Sequence, residues 1–330
     1  MDNNSSNPIP LIDLAPLGDG GPAGAAEIAP KLRAALEDIG FLVIVNHGIP
    51  QALIDRTFAQ AKRFHDQDMD AKRAVLMNEH NNGYMAMARY GVRTSRVSEE
   101  VLPDMNESFF IKRERAADDP LAGRRFGGPN EWPDGLPGFR EDLLEYTETV
   151  DALGRSLLPA VALALELPAD TFDPAFEESQ FSFRLSHYPR TPRTPGQYGF
   201  APHTDANFMT FLAQSGVPGL QIQMSSGVWE DVPYVPGSFV VNTGDMLHRW
   251  TNGRFKSTAH RVIPPQYRSR YAIPYFLGPH LDTLISCLPG CSGDDRPPLY
   301  SDITYDDYIH WWYDANYNAA DQNDLAPDED

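Results

Sequence analysis

The stretch that decides the fold of this 330-residue chain runs from Phe200 to Phe276. It opens with FAPHTD (200–205), reaches STAHRV (257–262) and closes on RYAIPYF (270–276). Between these segments, short apolar runs alternate with proline and glycine turns. Many short strands with regular turn signals are typical of a β-sandwich or β-barrel.

His203 and Asp205 are candidate metal ligands because their spacing suits a strand. Residues i and i+2 of an extended strand point to the same face. His260 follows 57 residues later (260 − 203), beyond several turn signals, so a second strand can bring it across. Two imidazoles and one carboxylate leave coordination positions open and suit non-haem Fe(II). Zinc accepts the same donors, so a zinc hydrolase is an alternative, although the sequence shows no dedicated glutamate base.

Strand and helix patterns surround this stretch. From Gln180 the apolar period is two, so Arg184, Ser186 and Tyr188 share one strand face, opposite His187. His187 is therefore expected to lie outside the barrel. Before Gln180 we expect strands at 9–14 (an edge strand), 41–45 and 106–111, and a flexible loop at 18–24. Helices are expected at 25–39, 51–68 and 139–165. Pro159 should kink or split the last of these helices. An amphipathic helix is expected at 305–317.

Composition excludes several classes of partner. The net charge is −19, from 27 basic and 46 acidic residues, which argues against nucleic acid or an anionic membrane surface. No segment is long and apolar enough for a membrane span, and residues 1–8 lack a signal pattern, so we expect a cytoplasmic protein. The two cysteines, Cys287 and Cys291, are expected to be free, non-catalytic thiols, with a disulfide as the alternative.

Three arginines, Arg89, Arg93 and Arg96, cluster in one segment of this acidic chain. They predict a loop at the mouth of the cavity that pairs with an anionic group of the substrate. A solvated surface loop is the alternative.

Several short motifs occur together and in a fixed order. The N-terminal part has IPLIDL (9–14) and GFLVIVNHGI (40–49). The core has HTD (203–205), NTGD (242–245), TNG (251–253), HRV (260–262) and RYA (270–272). Together they make the chain similar to the isopenicillin N synthase-like branch of the Fe(II)/2-oxoglutarate-dependent dioxygenases, over nearly its whole length.

The resemblance implies an α+β, mainly β fold: a double-stranded β-helix (jelly roll) core flanked by helices. It divides the chain into an N-terminal dioxygenase region (8–120), a connection with a backing helix (121–178), the jelly-roll core (179–282) and a C-terminal helix with an acidic tail (283–330).

The resemblance also implies roles for individual residues. His203, Asp205 and His260 would bind Fe(II). Arg270 and Tyr188 would hold the distal carboxylate of 2-oxoglutarate, with Ser186 beside them where many members have Asn. The family motif is Arg-x-Ser, and here its third residue is Ala272. A structural Arg270 paired with Asp245 is the alternative.

The activity implied is oxidation, typically hydroxylation, of a small molecule. O2 and 2-oxoglutarate would be co-substrates, an Fe(IV)-oxo species would attack the substrate, and succinate and CO2 would be released. Candidate substrate residues, besides the three clustered arginines, are Arg184, Phe200 and Asn207. An Fe(II) oxidase of the same fold that uses no 2-oxoglutarate stays open, as does a binding module.

Overall fold

The computed structural model describes residues 9–87 and 102–318. Its strands are short and mostly buried, as the apolar runs predict. In chain order they are β1 (Leu11–Asp13), β2 (Phe41–Val45), β3 (Gly83–Met85), β4 (Glu107–Lys112), β5 (Gln180–Tyr188), β6 (Phe200–His203), β7 (Met209–Gln214), β8 (Leu220–Gln223), β9 (Trp229–Asp231), β10 (Phe239–Thr243), β11 (His260–Val262), β12 (Arg270–Gly278), β13 (Leu284–Ile285) and β14 (Ile303–Thr304).

These strands build two main sheets. The larger has the order β1-β2-β10-β7-β12-β5-β4-β3, and the smaller has the order β6-β11-β8-β9. All neighbours in both sheets pair antiparallel except β1, which pairs parallel with β2 at one edge. Sequence neighbours such as β5 and β6 lie in different sheets, as the jelly roll requires. The predicted fold class is confirmed.

Helices cover the outer face of the larger sheet. The long helix α4 packs against α1, α2 and that sheet. The helices are α1 (Ala15–Asp38), α2 (Gln51–His65), α3 (Met69–Arg73), α4 (Phe139–Ala164), α5 (Asp173–Phe176), α6 (Asp245–Trp250) and α7 (Tyr305–Tyr313), which continues as a π-helical turn (Asp314–Asn318).

Two apolar cores result from this arrangement. One lies between the helices and the larger sheet, with Leu36 of α1, Val161 of α4 and Phe211 of β7 fully buried. The other lies between the sheets, where Val240 of β10 meets Ile222 of β8. The second core fills the barrel and places its polar site at one end.

Two local predictions were wrong. The segment 18–24 is helical rather than a flexible loop; only Gly21, at φ 48°, interrupts α1. Pro16 lies in the first turn, where its fixed φ favours helix initiation. Of the two outcomes predicted for Pro159, the split is wrong: α4 runs unbroken through it, and most of the turn that follows is buried, so its packing outweighs one lost hydrogen bond.

Cys287 and Cys291 are free thiols. Among the described residues, no helix has the length and apolar character needed to cross a lipid bilayer.

Candidate metal and co-substrate site

Two histidines meet across the smaller sheet. His203, the last residue of β6, pairs directly with His260, the first residue of β11. Their rings lie 4.2 Å apart between centroids. Asp205 lies in the loop after β6 rather than on the strand, so the strand-spacing argument was wrong for this residue. The loop nevertheless turns the carboxylate inward, with Oδ1 at 3.7 Å from Nε2 of His203 and 3.6 Å from Nε2 of His260.

Backbone carbonyls orient both imidazoles. The Nδ1 atom of His203 lies 2.8 Å from the carbonyl oxygen of Ala201, and Nδ1 of His260 lies 3.2 Å from that of Thr258. A carbonyl can only accept, so each Nδ1 carries the proton and each Nε2 is left as a lone pair facing Asp205.

The Asp205 carboxylate is oriented in the same way. Its Oδ2 accepts hydrogen bonds from Oγ1 of Thr210 at 2.6 Å and from Nδ2 of Asn242 at 2.7 Å. Its other oxygen, Oδ1, faces the two Nε2 atoms. One oxygen is thus held by the protein and the other is directed at the point where the histidines converge. Thr210 and Asn242 were given no role in the sequence analysis, although Asn242 belongs to the motif NTGD (242–245).

The protonation states suit metal binding. Burial, reinforced by the neighbouring His260, lowers the pKa of His203 well below its usual value, so its imidazole is neutral at pH 7. Burial alone would raise the pKa of Asp205, but His260, His203 and the two hydrogen bonds to Oδ2 outweigh it and hold this pKa low. A neutral imidazole and an ionised carboxylate are the forms in which these two side chains bind a metal.

The donor set fits Fe(II). The candidate ligand atoms of the three residues lie within 4.8 Å of one another, and all three side chains are buried. Two imidazole nitrogens and one carboxylate oxygen on one face leave open positions for other ligands, which is the pattern of non-haem Fe(II) oxygenases.

A buried cation lies deeper between the sheets. Arg270, the first residue of β12, pairs in register with Tyr188, the last residue of β5, and its guanidinium lies 5.0 Å from the tyrosine ring centre. Its Nε donates to the carbonyl oxygen of Val217 at 3.2 Å. Arg270 is 1% exposed, yet Nη1 and Nη2 have no hydrogen-bond partner among the described residues.

Those two unpartnered nitrogens fit a carboxylate. A guanidinium fork binds a carboxylate through two parallel hydrogen bonds, and leaving buried donors unpaired is costly. The alternative pairing with Asp245 is wrong: Oδ2 of Asp245 accepts instead from Thr204 and Tyr308, at 3.1 Å each. The distal carboxylate of 2-oxoglutarate matches these two donors in both charge and shape.

The position of the missing serine is occupied by a small apolar side chain. Ala272 is buried, packs with Tyr188 and pairs across the strands with Ser186. The Ser186 hydroxyl lies 3.4 Å from the hydroxyl of Ser108 on the next strand. Ser186 and Ser108 therefore place two hydroxyl groups in the same cross-strand row as Ala272.

A cavity that is open to solvent at its mouth is lined in part by the candidate ligands His203 and Asp205. Eight of its seventeen lining residues are aromatic, and several of these come from the C-terminal helix, which the sequence predicted only as an amphipathic element. They include Phe110, Phe126, Phe200, Phe276, Trp312 and Tyr313.

The predicted substrate residues differ in their placement. Arg184 and Phe200 line the cavity. Asn207 does too, but its amide nitrogen donates to the carbonyl oxygens of Met209 and Leu277, so it holds the loop. Arg89, Arg93 and Arg96 lie outside the described residues.

Comparison with known families agrees with this geometry. Residues 9–135 match the family model described as the non-haem dioxygenase in morphine synthesis N-terminal domain, and residues 179–279 match the 2OG-Fe(II) oxygenase superfamily. The 2-oxoglutarate-Fe(II) type oxidoreductase hxnY of Emericella nidulans is 35% identical over 94% of this chain and 91% of its own length. Kihadalactone A synthase LFS of Citrus sinensis is 36% identical over 85% of this chain and 86% of its own.

Among solved structures, a full-length Neurospora crassa protein in complex with alpha-KG and thymine superposes with a TM-score of 0.82 and 28% identity, covering 95% of this chain and 98% of that one. Neither the geometry nor the relatives favour an oxidase without 2-oxoglutarate, a zinc hydrolase or a binding module. The chain therefore belongs to the isopenicillin N synthase-like superfamily of Fe(II)- and 2-oxoglutarate-dependent dioxygenases, enzymes that oxidise small molecules.

Proposed function

We propose that His203, Asp205 and His260 bind Fe(II), that Arg270 with Tyr188 holds the distal carboxylate of 2-oxoglutarate, and that the substrate is a planar ring compound with an anionic group. The observation that carries the co-substrate assignment is the pair of buried, unpartnered guanidinium nitrogens of Arg270. When bound, Fe(II) would activate O2, which is the oxidant; one oxygen atom would oxidise 2-oxoglutarate to succinate and CO2, and the other would oxidise the substrate.

The residues around the site have separate roles in binding the metal and 2-oxoglutarate. Carbonyl contacts fix the imidazole tautomers, and Thr210 and Asn242 hold one oxygen of Asp205, so the other remains a single-atom ligand. Such second contacts orient metal ligands and commonly contribute ten- to a hundredfold to affinity. Arg270 orients 2-oxoglutarate from its far end.

Arg184 is the cation that faces the substrate cavity. It is 5% exposed, and its guanidinium lies over the rings of Phe200, Phe110 and Phe276, at 4.8, 5.5 and 5.9 Å from their centres. Its Nε has no hydrogen-bond partner in the described part of the chain. Lys112, the other cation on the wall, already donates to two backbone carbonyls and to Oδ1 of Asn82.

The charge of Arg184 is not neutralised by the nearby carboxyl of Asp104. Burial raises the pKa of Asp104 to about 8, although the Ala201 amide and the charge of Arg184 oppose that rise. Asp104 is therefore mostly protonated at pH 7. Among the described residues no carboxylate forms an ion pair with the Arg184 guanidinium, and such a buried cation favours a carboxylate or another anionic group on the substrate.

The aromatic walls support a flat substrate. Rings prefer offset-stacked or edge-to-face contacts with other rings. The Neurospora relative was solved with thymine, a planar ring, and eight of the seventeen residues that line the cavity of this chain are aromatic. We therefore favour a heteroaromatic or other planar acid.

The metal assignment predicts that His203→Ala, Asp205→Ala and His260→Ala each abolish substrate-dependent succinate release and sharply weaken Fe(II) binding in equilibrium dialysis, with the fold retained. Asn242→Ala keeps all three ligands but removes one of the two hydrogen bonds to Oδ2 of Asp205, so we expect Fe(II) affinity to fall about ten- to a hundredfold.

His47→Ala is the control for these variants, because His47 contacts the carbonyl oxygen of Gly237 away from the site. Full activity in any one of the three ligand variants would remove that residue from the metal site.

The co-substrate assignment predicts that Arg270→Ala raises the 2-oxoglutarate concentration needed for half-maximal succinate formation by about ten- to a hundredfold, the value of a lost charge-assisted contact. Fe(II) affinity should barely change. Ala272→Ser should tighten 2-oxoglutarate binding by up to about fivefold, because it restores one hydroxyl donor.

The matched control is Arg268→Ala, which removes an exposed arginine two residues earlier on the chain. Turnover of the wild-type enzyme without 2-oxoglutarate, or an unchanged 2-oxoglutarate titration in Arg270→Ala, would refute the assignment.

The substrate assignment is tested with a panel of heteroaromatic carboxylates and their neutral amides, using substrate-dependent succinate release. The wild-type enzyme should prefer the acid. Arg184→Gln should reduce the ratio of activity on the acid to activity on the amide by about tenfold or more. Arg190→Gln, an exposed arginine after β5, is the control. Equal use of acid and amide by the wild-type enzyme would contradict the anionic assignment.

A further inference from the structure

The outer face of the larger sheet carries a row of polar side chains at the end of the barrel where Arg270 and Tyr188 lie. Glu107 of β4 pairs in register with His187 of β5, and His187 pairs with Tyr271 of β12. Because side chains alternate along a strand, these residues face away from the barrel while Tyr188 and Arg270, their neighbours in sequence, face into it.

Close contacts join the three residues of this row. Nδ1 of His187 lies 2.8 Å from Oε1 of Glu107. The His187 ring stacks on the ring of Tyr271, at 4.8 Å between centroids and 16° between planes. The row therefore links β4, β5 and β12 through side chains as well as through the backbone ladder.

Glu107 anchors the row to the helical layer. It is 4% exposed, and its Oε2 accepts from the Lys72 ammonium at 2.9 Å and from the Tyr84 hydroxyl at 2.5 Å. His65, at the end of α2, places Nδ1 3.5 Å from Oε1. The carboxylate is thus held from two helices and two strands.

His65, Glu107 and His187 also come close enough together to suggest a metal site. The contacts argue otherwise. Glu107 is already paired with the buried ammonium of Lys72, so a divalent ion on the same carboxylate would meet a neighbouring positive charge without a further anion to balance it. The cluster is an ion-paired, hydrogen-bonded network.

The location of the row gives it a specific consequence. Tyr188 is the last residue of β5 and Arg270 is the first of β12. Strand ends open more readily than strand centres, because fewer ladder hydrogen bonds hold them. The stacked rings of His187 and Tyr271 lie on the outer face of these two strand ends. His187 is one residue from Tyr188, and Tyr271 is one residue from Arg270.

We propose that His187, Tyr271 and Glu107 are positioning residues for 2-oxoglutarate. They hold the ends of β5 and β12 in register so that the Arg270 guanidinium stays preorganised over Tyr188. This inference rests on the proposed function, in which Arg270 and Tyr188 bind the distal carboxylate. It predicts that loss of the outer stack weakens 2-oxoglutarate binding without changing the metal ligands.

The test is anaerobic calorimetry of 2-oxoglutarate binding to the Fe(II)-loaded protein. Tyr271→Leu removes the stack from a half-buried position and should weaken binding about three- to tenfold. Tyr271→Phe keeps the ring and should restore wild-type affinity. His187→Gln, which keeps a donor for Glu107 but loses the ring, should behave like Tyr271→Leu. Fe(II) affinity and the maximal rate at saturating 2-oxoglutarate should stay near wild type.

Tyr275→Phe is the control for a general loss of stability. Tyr275 lies on the same strand and the same face, and its hydroxyl donates to Oδ1 of Asp151 at 2.9 Å, far from Arg270 along the strand. This variant should lower the melting temperature and leave the 2-oxoglutarate dissociation constant unchanged.

Comparison with Arg270→Ala separates two kinds of failure. If Arg270→Ala weakens 2-oxoglutarate binding and Tyr271→Leu does not, the positioning role is wrong and the proposed function stands. If Arg270→Ala has no effect, the co-substrate assignment itself fails. An equal loss of affinity in Tyr275→Phe and Tyr271→Leu would also overturn the positioning role, because it would show a general effect of stability.

Discussion

The pairing of β6 with β11 is the constraint on which the rest of the site depends. It sets His260 directly opposite His203. Two imidazoles from distant parts of the chain therefore meet while both strands remain hydrogen-bonded in the smaller sheet. A register shift of one residue would send one imidazole to the other face of the sheet. The loop after β6 then has only to turn one carboxylate inward, and Thr210 and Asn242 keep it there.

The buried polar groups divide into those that the protein satisfies and those that it leaves open. Glu107, Lys112 and Asp245 have donors or acceptors on several sides, so their burial is compensated within the fold. Arg270 and Arg184 keep buried guanidinium nitrogens that have no hydrogen-bond partner in the described part of the chain. Because an unpaired buried donor is costly, such donors are expected where a ligand completes the hydrogen bonding.

Spacing and motifs were enough to predict candidate ligands at three positions, Arg270 and the strand face that bears Tyr188, and the fold brings the three candidate ligands together and pairs Arg270 with Tyr188. Sequence reasoning missed the residues whose role exists only in three dimensions. Asn242 and Thr210 reach Asp205 from other strands, and Trp312 reaches the cavity from the C-terminal helix. Asp205 was placed on a strand because a two-residue spacing cannot distinguish a strand from a turn that follows one. The helical segment 18–24 was missed because its glycines and Pro22 disfavour a helix.

The central claim is that one metal and one 2-oxoglutarate bind between the two sheets, on the ligands and the guanidinium named above. The most direct measurement is a crystal structure of the protein grown anaerobically with Fe(II) and 2-oxoglutarate. The account predicts a metal coordinated by Nε2 of His203, Nε2 of His260 and Oδ1 of Asp205, with the distal carboxylate about 2.7–2.9 Å from Nη1 and Nη2 of Arg270. A metal bound elsewhere, or a 2-oxoglutarate whose distal carboxylate does not contact Arg270, would contradict it.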